Sequence, residues 1–183
     1  MGKIAFVFSG QGSQYSGMGK SLYEMGTIAK ELYDNAEEIR HGTIEQSFSG
    51  TDEDLKITAN TQPCMYLVSL AAALSLNEKG VYADAVAGFS LGEIGALAYG
   101  GSYSYLDGFK IVTARGRLMN EAADPENTAM CAVLKLDSKA VAKTAGQKLC
   151  HFLAFYGGCY GEDGLQKGRT CADGTSGHGP YET

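Results

Sequence analysis

Ala85-Val86-Ala87-Gly88-Phe89-Ser90-Leu91-Gly92-Glu93-Ile94-Gly95-Ala96-Leu97-Ala98-Tyr99 is the stretch on which the fold turns. Ala85 to Ala87 is a short apolar run that reads as the end of a buried strand, and Glu93 to Tyr99 reads as the first turns of a helix. Between them Gly88-Phe89-Ser90-Leu91-Gly92 places a serine in a sharp strand-to-helix turn. Glycines on both sides allow the tight backbone approach such a turn demands. The N-terminus of the following helix offers unpaired N–H groups and a positive dipole end, suited to an oxyanion forming beside Ser90. With 25 glycines in the chain, an ordinary glycine-rich turn is the competing reading. The strand-turn-helix context favours a nucleophile elbow.

Working outward, Lys3-Ile4-Ala5-Phe6-Val7-Phe8 is another short apolar run, stopped by Ser9-Gly10, and fits a buried parallel strand. The glycine-rich loop Ser9 to Gln14 follows, then a helical stretch from about Met18 to Ile39. Thr61-Gln62-Pro63, with proline in a first turn, opens a helix that runs to Gly80. Ser104-x-x-Asp107 has the spacing of a capping box before a helix carrying Phe109, Val112, Arg115 and Leu118, which Asp124-Pro125 ends. Thr128 to Leu136 alternates like a strand, and Ser138 to Gln147 begins a further helix. Strands alternating with helices predict an α/β fold, a parallel sheet flanked by helices.

At 183 residues, 44% hydrophobic and 20% charged, the chain has the makings of one sizeable core with an appendage. A net charge of −6 argues against nucleic acid as a partner, since phosphate neutralisation needs a basic surface. Ile4 to Phe8 is too short for a signal-peptide core, and the apolar run Cys64 to Leu76 is too short to span a membrane. No membrane partner and a cytoplasmic location are therefore expected. Five cysteines without a Cys-x-x-Cys pair read as free thiols, implying neither disulfide nor metal. Past Gln147 the pattern changes. Residues 149–183 hold three cysteines, two histidines and eight glycines with no sustained period, and read either as a flexible tail or as residues foreign to the domain.

Five segments, in order, resemble malonyl-CoA:acyl-carrier-protein transacylases: Phe6 to Gln14, Gly17-Met18-Gly19, Thr61-Gln62-Pro63, Gly88 to Glu93, and Arg115 to Met119. Thr128 to Leu134 also resembles the strand that opens this family's small ferredoxin-like subdomain. The resemblance runs from about Lys3 to about Lys143. It implies a large α/β subdomain over 1–123, the start of the small one over 124–148, and an anomalous tail over 149–183. Family members are substantially longer, so the fold would be incomplete relative to theirs.

By the same resemblance, Ser90 would attack a malonyl thioester of coenzyme A and pass the acyl group to the phosphopantetheine thiol of acyl carrier protein, in fatty acid biosynthesis. The backbone N–H groups of Gln11 and Leu91 would form the oxyanion hole, each contributing ~3 kcal/mol. Arg115 would pair with the malonyl carboxylate, as a guanidinium fork suits a planar carboxylate. No tightly bound cofactor is implied. The choice between malonyl and methylmalonyl stays open. The family's catalytic histidine lies in a Ser-His-type motif missing from this sequence, so the general base is not assigned to His41, His151 or His178. That absence keeps a second reading open, a truncated or frame-shifted and catalytically incompetent fragment. A serine esterase shares the elbow but leaves Gln11 and Arg115 without a role.

Overall fold

A computed structural model of the chain describes residues 2–26 and 28–123. Strand β1 (Ala5–Phe8) is followed by helices α1 (Lys20–Glu24), α2 (Ile28–Ile39), α3 (Thr43–Ser49), α4 (Asp52–Lys56) and α5 (Thr58–Glu78). Strand β2 (Ala85–Gly88), α6 (Leu91–Tyr99) and α7 (Tyr105–Ala122) complete the order. The strands pair in parallel with Ala5 opposite Ala85 and Phe8 opposite Gly88, so all five intervening helices form the crossover that a parallel pair requires. Asp84 accepts the Ile4 N–H at 2.8 Å at one end of the ladder, and the Phe8 carbonyl accepts the Phe89 N–H at 3.1 Å at the other. The architecture is α/β with a small parallel sheet, as the alternation of patterns predicts. These residues lie in one compact unit spanning Met1–Asp124.

The core is built around α5. Cys64, Leu67, Leu70 and Ala71 are completely buried, with Met65 and Leu74 nearly so, and α5 packs against α2, α4, α6 and α7. A helix apolar on most sides is the expected occupant of such a centre. One face of the sheet joins this core through aromatics: the rings of Phe6 and Phe8 lie 5.4 and 5.9 Å from Tyr99 of α6. Tyr99 Oη in turn donates to Asn77 Oδ1 at 2.8 Å, tying α6 to the end of α5.

Three local expectations are corrected, and two further helices lie where the sequence carries no clear signal. Only β1 is buried, and on one face: Phe8 is 3% exposed and Val7 77%, because α6 covers one side of the pair and alternate side chains point the other way, while β2 is exposed from Ala85 to Ala87 and half-buried at Gly88. The helix expected from Met18 to Ile39 is two helices, since Gly26 adopts φ 70° and ends the first turn in a left-handed conformation. Pro63 does not sit in a first turn. It lies inside α5, which starts at Thr58 with the Ile57 carbonyl accepting the Asn60 and Thr61 N–H groups. The polar connection after Ile39 contains α3 and α4, the latter opened by Thr51, whose hydroxyl accepts the Asp54 N–H while Asp54 accepts the Thr51 N–H. The strand expected at 128–136, the helix at 138–147 and the tail at 149–183 lie outside the described residues.

Candidate active site

The turn from β2 to α6 holds its serine in a strained backbone. Ser90 has φ 53° and ψ −104°, the one non-glycine residue with positive φ among those described. Such a conformation costs about 1–3 kcal/mol and persists only where its surroundings over-determine it. Here the surroundings do so from both sides. Glu93 accepts the Ser90 N–H at 3.0 Å, and the Phe89 and Ser90 carbonyls accept the N–H groups of Gly92 and Glu93 at 2.8 and 3.2 Å. Gly92 lies so close to β1 that a Cβ would overlap the Phe8 carbonyl, so the elbow is locked against the neighbouring strand. Ser90 itself is exposed.

Helix α7 brings a cation to this serine. Arg115 Nη2 donates to Ser90 Oγ at 3.1 Å, and its Nη1 donates to Gln62 Oε1 at 2.8 Å. Gln62 projects from α5, is 0% exposed, and donates from Nε2 to Met119 Sδ at 3.2 Å. The two helices approach closely at this level because Gly116 has no side chain: a Cβ there would lie 3.0 Å from the Thr58 carbonyl oxygen. No carboxylate is ion-paired with Arg115 among the described residues. A half-buried guanidinium beside an exposed serine hydroxyl, with its charge uncompensated, can receive an anionic group brought to that hydroxyl.

The loop after β1 runs against the elbow, since a Cβ on Gly10 would sit 2.7 Å from the Phe89 ring and 2.9 Å from its carbonyl oxygen. Gln11 follows directly, and its side chain reaches across to Thr58 Oγ1 at 3.3 Å. Leu91, buried at the start of α6, supplies one of the N–H groups that a helix start leaves without an intrahelical partner. Among the described residues the backbone N–H groups of Gln11 and Leu91 donate to no protein acceptor. Ser90, Leu91 and Arg115 are thus brought together, with Gln11 on the adjoining loop. His41 is exposed in the turn between α2 and α3, and His151 and His178 lie outside the described residues. The partner of Ser90 Oγ is a guanidinium, which only donates, so no described residue takes the serine proton.

Two residues of this site escaped sequence reading. Gln62 reads as part of a helix-start signal, and nothing in the local pattern shows that α7 passes beside it. Glu93 carried a usable signal: an acidic residue three positions after a serine at a helix start is positioned to accept the serine's N–H.

The signature of the acyl transferase domain family matches residues 5–150. The malonyl CoA-acyl carrier protein transacylase of Bacillus subtilis (strain 168) is 43% identical over 142 residues, covering 77% of this chain and 45% of its own length. The crystal structure of an acyl-carrier-protein-S-malonyltransferase from Bartonella henselae superposes with a TM-score of 0.73 at 30% identity, over 81% of this chain and 50% of that one. A type II polyketide synthase acyl-carrier protein in complex with its malonyl-transacylase gives 0.71 at 30% identity, over 79% of this chain and 49% of that one. The chain therefore spans about half the length of the relatives it matches. With the matched region extending over most of its sequence, it belongs to the acyl transferase domain family.

Proposed function

We propose that this chain carries the acyl-loading centre of a malonyl-CoA:acyl-carrier-protein transacylase, working in the cytoplasm in fatty acid biosynthesis. Ser90 Oγ attacks the thioester carbonyl of malonyl-CoA, a C–O bond forms, the C–S bond breaks, and coenzyme A leaves as its thiol with the proton from Ser90. The carbonyl oxygen, negative in the tetrahedral intermediate, takes hydrogen bonds from the N–H groups of Leu91 and Gln11. The phosphopantetheine thiol of acyl carrier protein then attacks the acyl-serine in the reverse sense, which makes the kinetics ping-pong. The two thioesters are substrates, and no tightly bound cofactor enters the scheme.

The observation that carries this reading is the 3.1 Å contact between Arg115 Nη2 and Ser90 Oγ. In a malonyl-serine, three single bonds separate Oγ from the carboxylate carbon, a reach of roughly 4 Å at about 1.5 Å per bond. A guanidinium already against Oγ therefore meets that carboxylate with a short side-chain adjustment. An acetyl group offers it nothing. The resemblance to solved malonyltransferases, one in complex with an acyl carrier protein, supports the same assignment.

Incubation with malonyl-CoA followed by peptide mass mapping should place a malonyl adduct on the peptide containing Gly88–Glu93, and Ser90→Ala should abolish it. An adduct that persists in Ser90→Ala would remove Ser90 from the mechanism.

A further inference from the structure

We infer that Gln62 is a positioning residue that anchors Arg115 through a neutral acceptor, holding the guanidinium toward Ser90 while leaving its full positive charge for an incoming carboxylate. The inference deepens the proposed function and rests on the reading of Arg115 as the carboxylate receptor. Three observations meet here. Gln62 is 0% exposed, so its amide cannot turn to water and both ends need protein partners. Its oxygen accepts from Arg115 Nη1 at 2.8 Å, and its nitrogen donates to Met119 Sδ at 3.2 Å, which leaves the amide one orientation. Arg115 has no carboxylate paired with it among the described residues, although Arg117 on the same helix is paired with Glu121 at 2.9 Å.

The chemistry explains why an amide stands where a carboxylate would make the stronger bond. An arginine side chain has several rotatable bonds, and a free one would sample many positions besides the one facing Ser90. A glutamate at position 62 would fix it equally well but would neutralise it, and the substrate carboxylate would then compete with a resident anion. A buried glutamine fixes the direction without cancelling the charge. Gly116 belongs to the same device, because only its missing side chain lets α7 come close enough to α5 for Gln62 to reach Arg115.

The test has two arms on the 183-residue chain. In the first, ¹⁵N relaxation of the Arg115 Nε–Hε group, assigned by its loss in Arg115→Lys, reports side-chain order without needing turnover. Arg115 should be ordered in the wild type and fall below an order parameter of about 0.6 in Gln62→Met, which preserves volume and removes the acceptor. If Gln62→Met does not fold, Gln62→Asn withdraws the acceptor by one methylene and should loosen Arg115 in the same way. An Arg115 as ordered in the acceptor-free variant as in the wild type overturns the anchoring role.

In the second arm, malonyl-CoA and acetyl-CoA binding are compared by calorimetry. Gln62→Glu should keep Arg115 ordered yet lower the ratio of malonyl-CoA to acetyl-CoA affinity about tenfold. A preserved malonyl preference in Gln62→Glu overturns the claim that neutrality matters. A wild-type chain that shows no malonyl preference speaks against the carboxylate-receptor reading itself, and the relaxation arm still decides whether Gln62 anchors Arg115.

Discussion

Arg115 and Arg117 stand two residues apart on α7 and face different surroundings. Arg115 turns toward α5 and the elbow, where it meets a buried amide and a serine hydroxyl. Arg117 turns outward, is exposed, and makes an i,i+4 ion pair with Glu121 at 2.9 Å. The inner arginine is held by neutral groups and keeps its charge available, whereas the outer one is answered by a carboxylate in solvent. The difference shows that a cation's function is set by which acceptor satisfies it. Residue type and helix are the same for both.

The largest effect on this contrast should come from Arg115→Ala. Loading of Ser90 from an equimolar mixture of malonyl-CoA and acetyl-CoA, followed by mass spectrometry, should lose its malonyl preference by at least about tenfold. That corresponds to the roughly 1.5–3 kcal/mol of a hydrogen bond to a charged group. Acetyl loading should change little. Equal losses for both acyl groups would mean that Arg115 acts on the structure alone, and the contrast between the two arginines would collapse.

Gly116→Ala should come next. The added Cβ lies 3.0 Å from the Thr58 carbonyl oxygen and 3.3 Å from Ala59 Cα, both backbone atoms that cannot swing aside. Overpacking of this kind costs about 1–3 kcal/mol, offset by the roughly 1 kcal/mol by which alanine favours a helix interior over glycine. A net loss of about 1 kcal/mol in urea unfolding is expected, together with a weaker malonyl preference as α7 is pushed off α5. Stabilisation with the preference intact would show that the close approach at Gly116 does not set the position of Arg115.

The same helix shows what a sequence can and cannot disclose. Ser104 and Asp107 lie three positions apart in sequence, and their spacing alone announces the start of α7. The hydroxyl accepts the Asp107 N–H at 3.1 Å, as the pattern predicts, and it donates to the Asp107 carboxylate at 2.7 Å. The elbow was equally legible, because glycine, serine and glycine at fixed offsets report a local backbone constraint. Gln62 was not, since its role depends on Arg115 lying 53 positions away in sequence. Nor was the one-sided burial of β1, because Val7 and Phe8 are both apolar and only the placement of α6 decides which of them is covered. Local geometry is written in local sequence. The meeting of α5 with α7 is a property of packing.

A smaller effect is expected at the start of α7. Removing the Ser104 cap by Ser104→Ala should cost ~1 kcal/mol near neutral pH. Asp107 is held below the ordinary carboxylate range, first by the Ser104 hydroxyl and then by Lys110. A depressed folded-state pKa adds stability that is present above the unfolded value of about 4 and is lost as pH falls through the folded one. The Ser104→Ala penalty should therefore shrink in urea titrations carried below about pH 4. A penalty independent of pH would assign the cap to the backbone bond alone.

Arg117→Ala should produce the smallest change and so sharpens the comparison most. Its ion pair joins side chains that are 62% and 56% exposed, where solvent and salt screen the attraction and two long side chains lose freedom to hold it. An i,i+4 pair of this kind contributes about 0.3–0.5 kcal/mol. Raising the salt concentration toward 1 M, where the screening length is about 3 Å, should erase even that difference between variant and wild type. Loading from the malonyl and acetyl mixture should match the wild type, because the Arg117 guanidinium already has its anion in Glu121. A malonyl preference that fell in Arg117→Ala as far as in Arg115→Ala would show that the positive charge of α7 as a whole, and not one anchored guanidinium, attracts the substrate. The distinction between the two faces would then be lost.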